Sequence, residues 1–175
     1  DEVRLGALLG TTRIDLLPPA EGGDDVRVLL DGEEVGDLLR TPEMGLLASR
    51  VSAQPLVRRH LTRLQQQIGE AGAVVAEGRD TGTVVFPRAA WKFYLDASAE
   101  VRARRRAAQL RGKGEQVDEE RLLAEIVQRD RDDRERAIAP LTVAADAVRI
   151  DSTHLPAEAV VDLMYARIRA LPCAC

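Results

Sequence analysis

The chain has 175 residues, 45% hydrophobic and 31% charged. That balance fits one folded domain burying about two-thirds of its unfolded surface, and it excludes wholesale disorder. A net charge of −4 and a pI near 5.3 give the chain as a whole no drive toward nucleic acid or an anionic membrane. No apolar run approaches the roughly 20 residues that span a bilayer. The N-terminus lacks a basic stretch followed by an apolar one, so no signal peptide is expected. The only cysteines, Cys173 and Cys175, stand at the C-terminal end; a disulfide framework is excluded and a reducing cytoplasm is expected.

Of the 25 basic residues, only Lys92 and Lys113 are lysine. GC-rich coding would spread arginine over a whole surface. Phosphate binding would place it at particular positions, because a planar bidentate donor matches phosphate oxygens better than an ammonium does. Composition leaves both readings open.

In chain order, the first forty residues read as short extended pieces joined by turns. The segment 13–17 is followed by Pro18-Pro19 and the turn 21–25, and 26–30 runs into Asp31-Gly32, a hairpin signal. A small antiparallel sheet is expected there. From Thr41 the pattern turns helical. Pro55 opens a helix whose Val57, Leu61, Leu64 and Ile68 form one narrow stripe, closed by Gly69 and Gly72. The run 73–76 is short and wholly apolar, the pattern of a strand buried on both faces.

Strands are also expected over 91–95 and 147–150. Phe86, Trp91, Phe93 and Tyr94 cluster in a segment expected to cross the core. Ser98 is read as the N-cap of a helix through about 110, and Asp118 as the cap of another with Glu119 and Glu120 in its first turn. Pro156 opens a last helix carrying Val160, Val161, Met164 and Ile168 on one side. Alternating strands and helices predict a parallel, doubly wound α/β sheet.

Three segments carry chemistry. In the helix over about 119–137, Leu122, Ile126, Arg129, Asp133 and Arg136 share one face. A core-facing stripe that turns charged must leave the core for a cleft, because an unpaired buried charge is strongly disfavoured. Two guanidiniums with a carboxylate between them suit an anionic ligand; a salt-bridged surface helix is the competing reading. Directly after the apolar run 73–76 comes Glu77-Gly-Arg-Asp-Thr-Gly-Thr83. Ligands of open α/β sheets bind beyond the carboxyl ends of strands, so Arg79 is a candidate for phosphate and Asp80 for an amine proton. An ordinary polar turn is the alternative. The basic run Arg102, Arg104, Arg105, Arg106, Arg111 and Lys113 is followed by Gly114 and has no acid within 101–114. It suits a phosphate-neutralising flap, a nucleic-acid face or a plain solvated helix.

Other constellations are absent. His60 and His154 fall in no metal-ligand spacing, and Cys173-Ala-Cys175 lacks further ligands. No G-x-S-x-G occurs, and no G-x-x-x-x-G-K-[ST] occurs in these residues.

The residues together resemble the bacterial cytidylate (CMP/dCMP) kinases, nucleoside monophosphate kinases of the P-loop fold. The stretches that carry the likeness are Glu77-Gly-Arg-Asp-Thr-Gly-Thr-Val-Val-Phe-Pro87, Leu95-Asp-Ala-Ser98, Arg121-Leu-Leu-Ala-Glu-Ile126 and Arg129-Asp-x-x-Asp-x-x-Arg136. Ala139-Pro-Leu141, Ala144-Ala-Asp-Ala147 and Asp151-Ser-Thr153 continue it, with weaker matches at Asp31-Gly-Glu and Leu39-Arg-Thr41.

The resemblance implies a P-loop NTPase-like doubly wound parallel sheet with a small antiparallel β insert and a lid. Its parts would be a nucleoside-monophosphate-binding region with the insert (1–55), core (56–102), lid (103–117) and core (118–175). It implies cytosine contacts from Ser49, Arg58 and Asp80, and a phosphate grip by Arg79, Arg129 and Arg136. Asp133 would hold the ribose hydroxyl and orient its flanking arginines, and Arg102, Arg105 and Arg106 would close over the ATP phosphates from the lid.

The implied reaction is ATP-dependent phosphorylation of CMP or dCMP, with Mg-ATP as co-substrate. No nucleic acid or membrane partner is implied, and the complete enzyme would be a cytoplasmic monomer. The family's opening strand, Walker A loop and following arginine motif have no counterpart in these residues. The chain is therefore read as a fragment, inactive by itself and of marginal stability. A non-catalytic nucleotide-binding module and a nucleic-acid-binding domain using 102–113 are the alternatives.

Overall fold

The computed structural model describes residues 1–22, 25–36 and 38–170, without the side chains of residues 40, 42, 43, 45, 46 and 49. Cys173 and Cys175 lie outside the described residues. The chain divides into two compact units, Asp1–Ala73 and Val74–Cys175.

The first unit opens with a helix, α1 (Glu2–Thr11), where extended structure is expected from the sequence. The Asp1 carboxylate accepts from the N–H groups of Val3 (3.0 Å) and Arg4 (3.4 Å), an N-cap at the first residue of the chain. Gly6 and Gly10 weaken the helical signal by about 1 kcal/mol each relative to alanine. Packing on a later helix compensates: a Cβ at Gly6 would stand 3.8 Å from the Leu56 side chain.

The antiparallel sheet expected next is present, in the order β1 (Ile14–Leu17), β2 (Arg27–Leu30), β3 (Glu33–Glu34). Leu30 pairs with Glu33 across Asp31-Gly32. Both turn residues have positive φ, +52° and +90°, as a two-residue hairpin turn of this hand requires. Helix α2 (Pro42–Ser52) is capped by the Thr41 hydroxyl, and α3 (Pro55–Glu70) begins at its proline. Val57 is the buried member of the α3 stripe; Leu61, Leu64 and Ile68 are half-buried.

The apolar run 73–76 is not a strand. Residues 74–80 are irregular, and Val75 is fully exposed. A strand exists only by pairing, and among the described residues no neighbour pairs with this segment, so its β-branched side chains do not make it one. The chain then makes a single π turn (Thr81–Val85), with the Val84 and Val85 N–H groups donating to the Asp80 carbonyl at 2.8 and 3.2 Å.

Strands β4 (Phe93–Asp96) and β5 (Val148–Asp151) are parallel neighbours, each shifted a residue or two from the expected span. Between them in sequence run α4 (Ala99–Gly112) and α5 (Glu119–Glu135), capped by Ser98 and Asp118 as expected, and α6 (Ala157–Ala170) follows β5. The core of the second unit is made of small side chains: Val85, Ala97, Ala103, Ala107, Ile150 and Val160. The aromatics expected to cross it are only half-buried. The architecture is α/β, with a parallel sheet and a separate small antiparallel sheet. No described helix is long and apolar enough to cross a membrane.

A core of alanines, valines and one isoleucine, with no large side chain fully buried among the described residues, provides little apolar stabilisation per residue. The chain is expected to unfold at or below the low end of the mesophilic range, about 45 °C, by circular dichroism. A sharp transition above about 65 °C would contradict this reading.

Candidate functional site

The expected site residues of the second unit meet around one carboxylate. Asp133, near the end of α5 with its side chain 16% exposed, accepts from Arg79 Nε at 2.9 Å and stands 3.6 Å from Arg136 Nη1. Arg136 Nη2 lies 3.7 Å from the Asp80 carboxylate. Two guanidiniums thus alternate with two carboxylates across elements more than 50 residues apart in sequence.

Local structure explains the placement. Helix α5 ends at Glu135, and Arg136 takes an extended conformation as its C-cap, so its side chain departs from the helical face assigned by spacing. The chain turns back at Ala139, whose φ is +49°; its carbonyl accepts from Arg136 Nε, and Leu141 N–H donates to the Asp133 carbonyl at 2.7 Å. On the other side, a Cβ at Gly78 would fall 2.3 Å from the Thr81 hydroxyl, so the 77–80 segment is tightest where it carries no side chain. Arg136 Nη2 is buried and has no hydrogen-bond partner among the described residues. An unsatisfied buried donor is costly, and an anionic oxygen would satisfy it. Arg129 is exposed and forms no ion pair among the described residues.

The basic run 102–113 is largely engaged by the protein itself. Arg102 makes a bidentate pair with Asp130 of α5 (3.0 and 2.5 Å) and donates to the Ala97 carbonyl. Arg105 donates to the Ser152 hydroxyl and to the carbonyls of Ser152 and Leu155. Arg111 pairs with Glu119 at 2.7 Å, and among the described residues Arg106 reaches only Gln109, at 3.4 Å. The segment 99–112 is continuous helix with Ala103 and Ala107 buried. The partners of Arg102 and Arg105 come from α5 and from the segment after β5, which the run's own sequence does not reveal.

In the first unit, Arg58 Nε donates to the Ser52 carbonyl at 3.1 Å, and Ser49 lies in α2 with its side chain outside the described set. His60 lines a half-open groove between α1 and α3 with Arg59 and Arg63. Among the described residues, no group of three His, Cys, Asp or Glu side chains is placed to hold a metal. Lys92, which no sequence motif marks, lies along Gly82 of the π turn that follows Asp80. Its side chain is 7% exposed and its Nζ donates to the Pro87 carbonyl and to Asp146 Oδ2, both at 2.6 Å. A lysine in a chain that otherwise uses arginine almost throughout was the available signal.

The family model described as cytidylate kinase matches residues 1–170. Curated relatives include the cytidylate kinase of Pseudomonas aeruginosa, 52% identical over 143 residues, which are 82% of this chain and 62% of that protein. The cytidylate kinase of Citrifermentans bemidjiense is 49% identical over 150 residues, 86% of this chain and 64% of that protein. That of Pectobacterium carotovorum is 49% identical over 158 residues, 89% of this chain and 70% of that protein. The chain belongs to the cytidylate kinase family. It spans less than two-thirds of the length of the first two relatives.

The Arg102–Asp130 clasp should show in the acid dependence of stability. Burial would raise the Asp130 pKa, but the hydrogen bonds and charge of Arg102, with the charges of Arg134 and Arg79, hold it below its ordinary value. A carboxyl with a depressed folded-state pKa contributes stability above its unfolded pKa and loses it as the pH falls through the folded value. Asp130→Asn is expected to cost about 1–3 kcal/mol at pH 7 in urea unfolding. The gap to the unsubstituted chain should close on acidification below the ordinary Asp value; a gap unchanged from neutral to strongly acid pH would contradict the assignment.

Proposed function

We propose that this chain carries the acceptor side of a cytidylate kinase, the enzyme that transfers the γ-phosphoryl group of Mg-ATP to CMP or dCMP, giving CDP or dCDP. The observation that supports it most directly is the buried Arg136 guanidinium set between the carboxylates of Asp80 and Asp133, whose Nη2 has no hydrogen-bond partner among the described residues. An acceptor phosphate would compete for the guanidinium donors of Arg79 and Arg136, with the exposed Arg129 adding a third. The three would hold the phosphate in place and offset charge as its oxygen attacks the γ-phosphorus and the bond to the ADP oxygen breaks. Positioning and charge neutralisation of this kind account for most phosphoryl-transfer catalysis. Asp133, freed in part from Arg79, would accept from a ribose hydroxyl.

Asp80 is proposed as a base selector. A carboxylate accepts from the exocyclic amine of cytosine and repels the carbonyl that uracil carries there. Ser49 and Arg58 keep the base-contact roles that the resemblance gives them. The lid role of Arg102 and Arg105 fits poorly with guanidiniums already engaged by Asp130, Ser152 and Leu155. Arg106 is the better candidate for ATP phosphate. The protein is proposed to act as a cytoplasmic monomer, with no nucleic acid or membrane partner. The donor phosphates require a glycine-rich loop and lysine, and no G-x-x-x-x-G-K-[ST] lies within these 175 residues.

Isothermal titration of the 175-residue chain with CMP is expected to show saturable binding, and CMP with Mg-ATP is expected to give no CDP. Absence of CMP binding would overturn the acceptor-site reading; formation of CDP would overturn the inactivity. Asp80→Asn is expected to narrow the preference for CMP over UMP by about 1–3 kcal/mol, read as the ratio of the two dissociation constants. An unchanged ratio would remove Asp80 from base selection.

A further inference from the structure

Lys92 precedes β4 and is the most deeply buried cationic side chain in the ion pairs of the second unit, at 7% exposure against 63% for its partner Asp146. A lysine stem buried to this degree has lost most of its rotamer freedom. Three contacts hold it there. Its Cδ lies 3.4 Å from the position a Cβ would take at Gly82, so the stem runs along the π turn with no side chain between them. Its Nζ donates to the Pro87 carbonyl just beyond that turn and to the carboxylate of Asp146 just before β5, both at 2.6 Å. The same hydrogen bond holds Asp146 below its ordinary pKa. The Lys92 carbonyl also accepts from Val148 N–H at 2.9 Å, tying its backbone to β5.

The turn it touches begins at Asp80. The carbonyl of Asp80 accepts from the N–H groups of Thr83, Val84 and Val85, and that of Thr81 accepts from Phe86 at 2.7 Å. The orientation of Asp80 and Arg79 toward α5 therefore depends on the turn keeping its conformation. π turns are energetically poorer than α turns and persist where surrounding contacts hold them.

We propose that Lys92 is a positioning residue for the acceptor site. Lying along Gly82 and clamping Pro87 to Asp146, it holds the Thr81–Val85 turn in the conformation that presents Arg79 and Asp80 to Asp133 and Arg136. Its role in ligand binding rests on the acceptor-site reading above; its role in the turn is set by the contacts themselves.

The test compares the unsubstituted chain with Lys92→Met, which keeps the stem and removes the head, Lys92→Arg, which restores a cation, and Asp146→Asn, which removes the negative charge that Lys92 faces without disturbing the core. Amide hydrogen exchange and CMP titration are both read. Lys92→Met is expected to speed exchange at Thr83–Phe86 at least about tenfold while buried α4 amides at Ala103 and Ala107 keep their protection, and to weaken CMP binding at least about tenfold. Lys92→Arg should recover part of both effects, and Asp146→Asn should reproduce both more weakly.

Equal loss of protection throughout the unit would make Lys92 a general stabiliser and overturn the proposal. So would CMP affinity and turn protection within twofold of the unsubstituted chain. If Lys92→Met does not fold, Asp146→Asn and Lys92→Arg decide: turn exchange and CMP affinity unaltered in both overturn the proposal. An unsubstituted chain that takes up no CMP sinks the acceptor-site reading and this role together, whereas CMP binding unaffected by Lys92→Met sinks this role alone.

Discussion

Everything of functional interest in the second unit depends on where the Asp133 carboxylate sits. It receives Arg79 from the 77–80 segment and faces Arg136 from the C-cap of its own helix. A single carboxylate thereby fixes the direction of two guanidiniums that would otherwise repel each other. Arg79 is 46% exposed, so its pair adds little to stability by itself. In the proposed acceptor site the value of the arrangement would lie in preorganisation, with donors aimed before a phosphate arrives.

A second layer of ties supports the first. Arg102 joins α4 to α5 through Asp130, three residues before Asp133, and Arg105 joins α4 to the segment after β5. These contacts hold the helix that carries Asp133, as the Lys92 contacts border the turn that carries Asp80. The arginine excess noted in the composition therefore has a positional meaning for some members: guanidinium forks bridge elements through carbonyl and carboxylate oxygens. The others, such as Arg104 and Arg106, lie on the exposed face of α4.

Much of this was legible in the sequence where the signal is local. Ser98, Asp118, Thr41 and Pro55 mark helix starts through their own side-chain chemistry, and Asp31-Gly32 marks the hairpin through its backbone preference. The pattern Arg129-x-x-x-Asp133-x-x-Arg136 and the segment 77–80 pointed to one another only through the family resemblance, because no spacing rule reaches across 50 residues. The coordinates bring Arg79, Asp80, Asp133 and Arg136 together and leave Arg129 exposed. What was not legible depended on partners. The helix over 2–11 was hidden by its two glycines and depends on packing with α3. The run 73–76 has the composition of a buried strand but no strand beside it among the described residues. Lys92 acquires its meaning only from a carbonyl and a carboxylate supplied by other segments.

The exposed valines at 74 and 75 carry one more consequence. A backbone with no ladder partner among the described residues and β-branched side chains in water is a template on which a second molecule can lay an extended segment. Where that template is used, the solution behaviour of this polypeptide would depend on how much of it is present as well as on temperature.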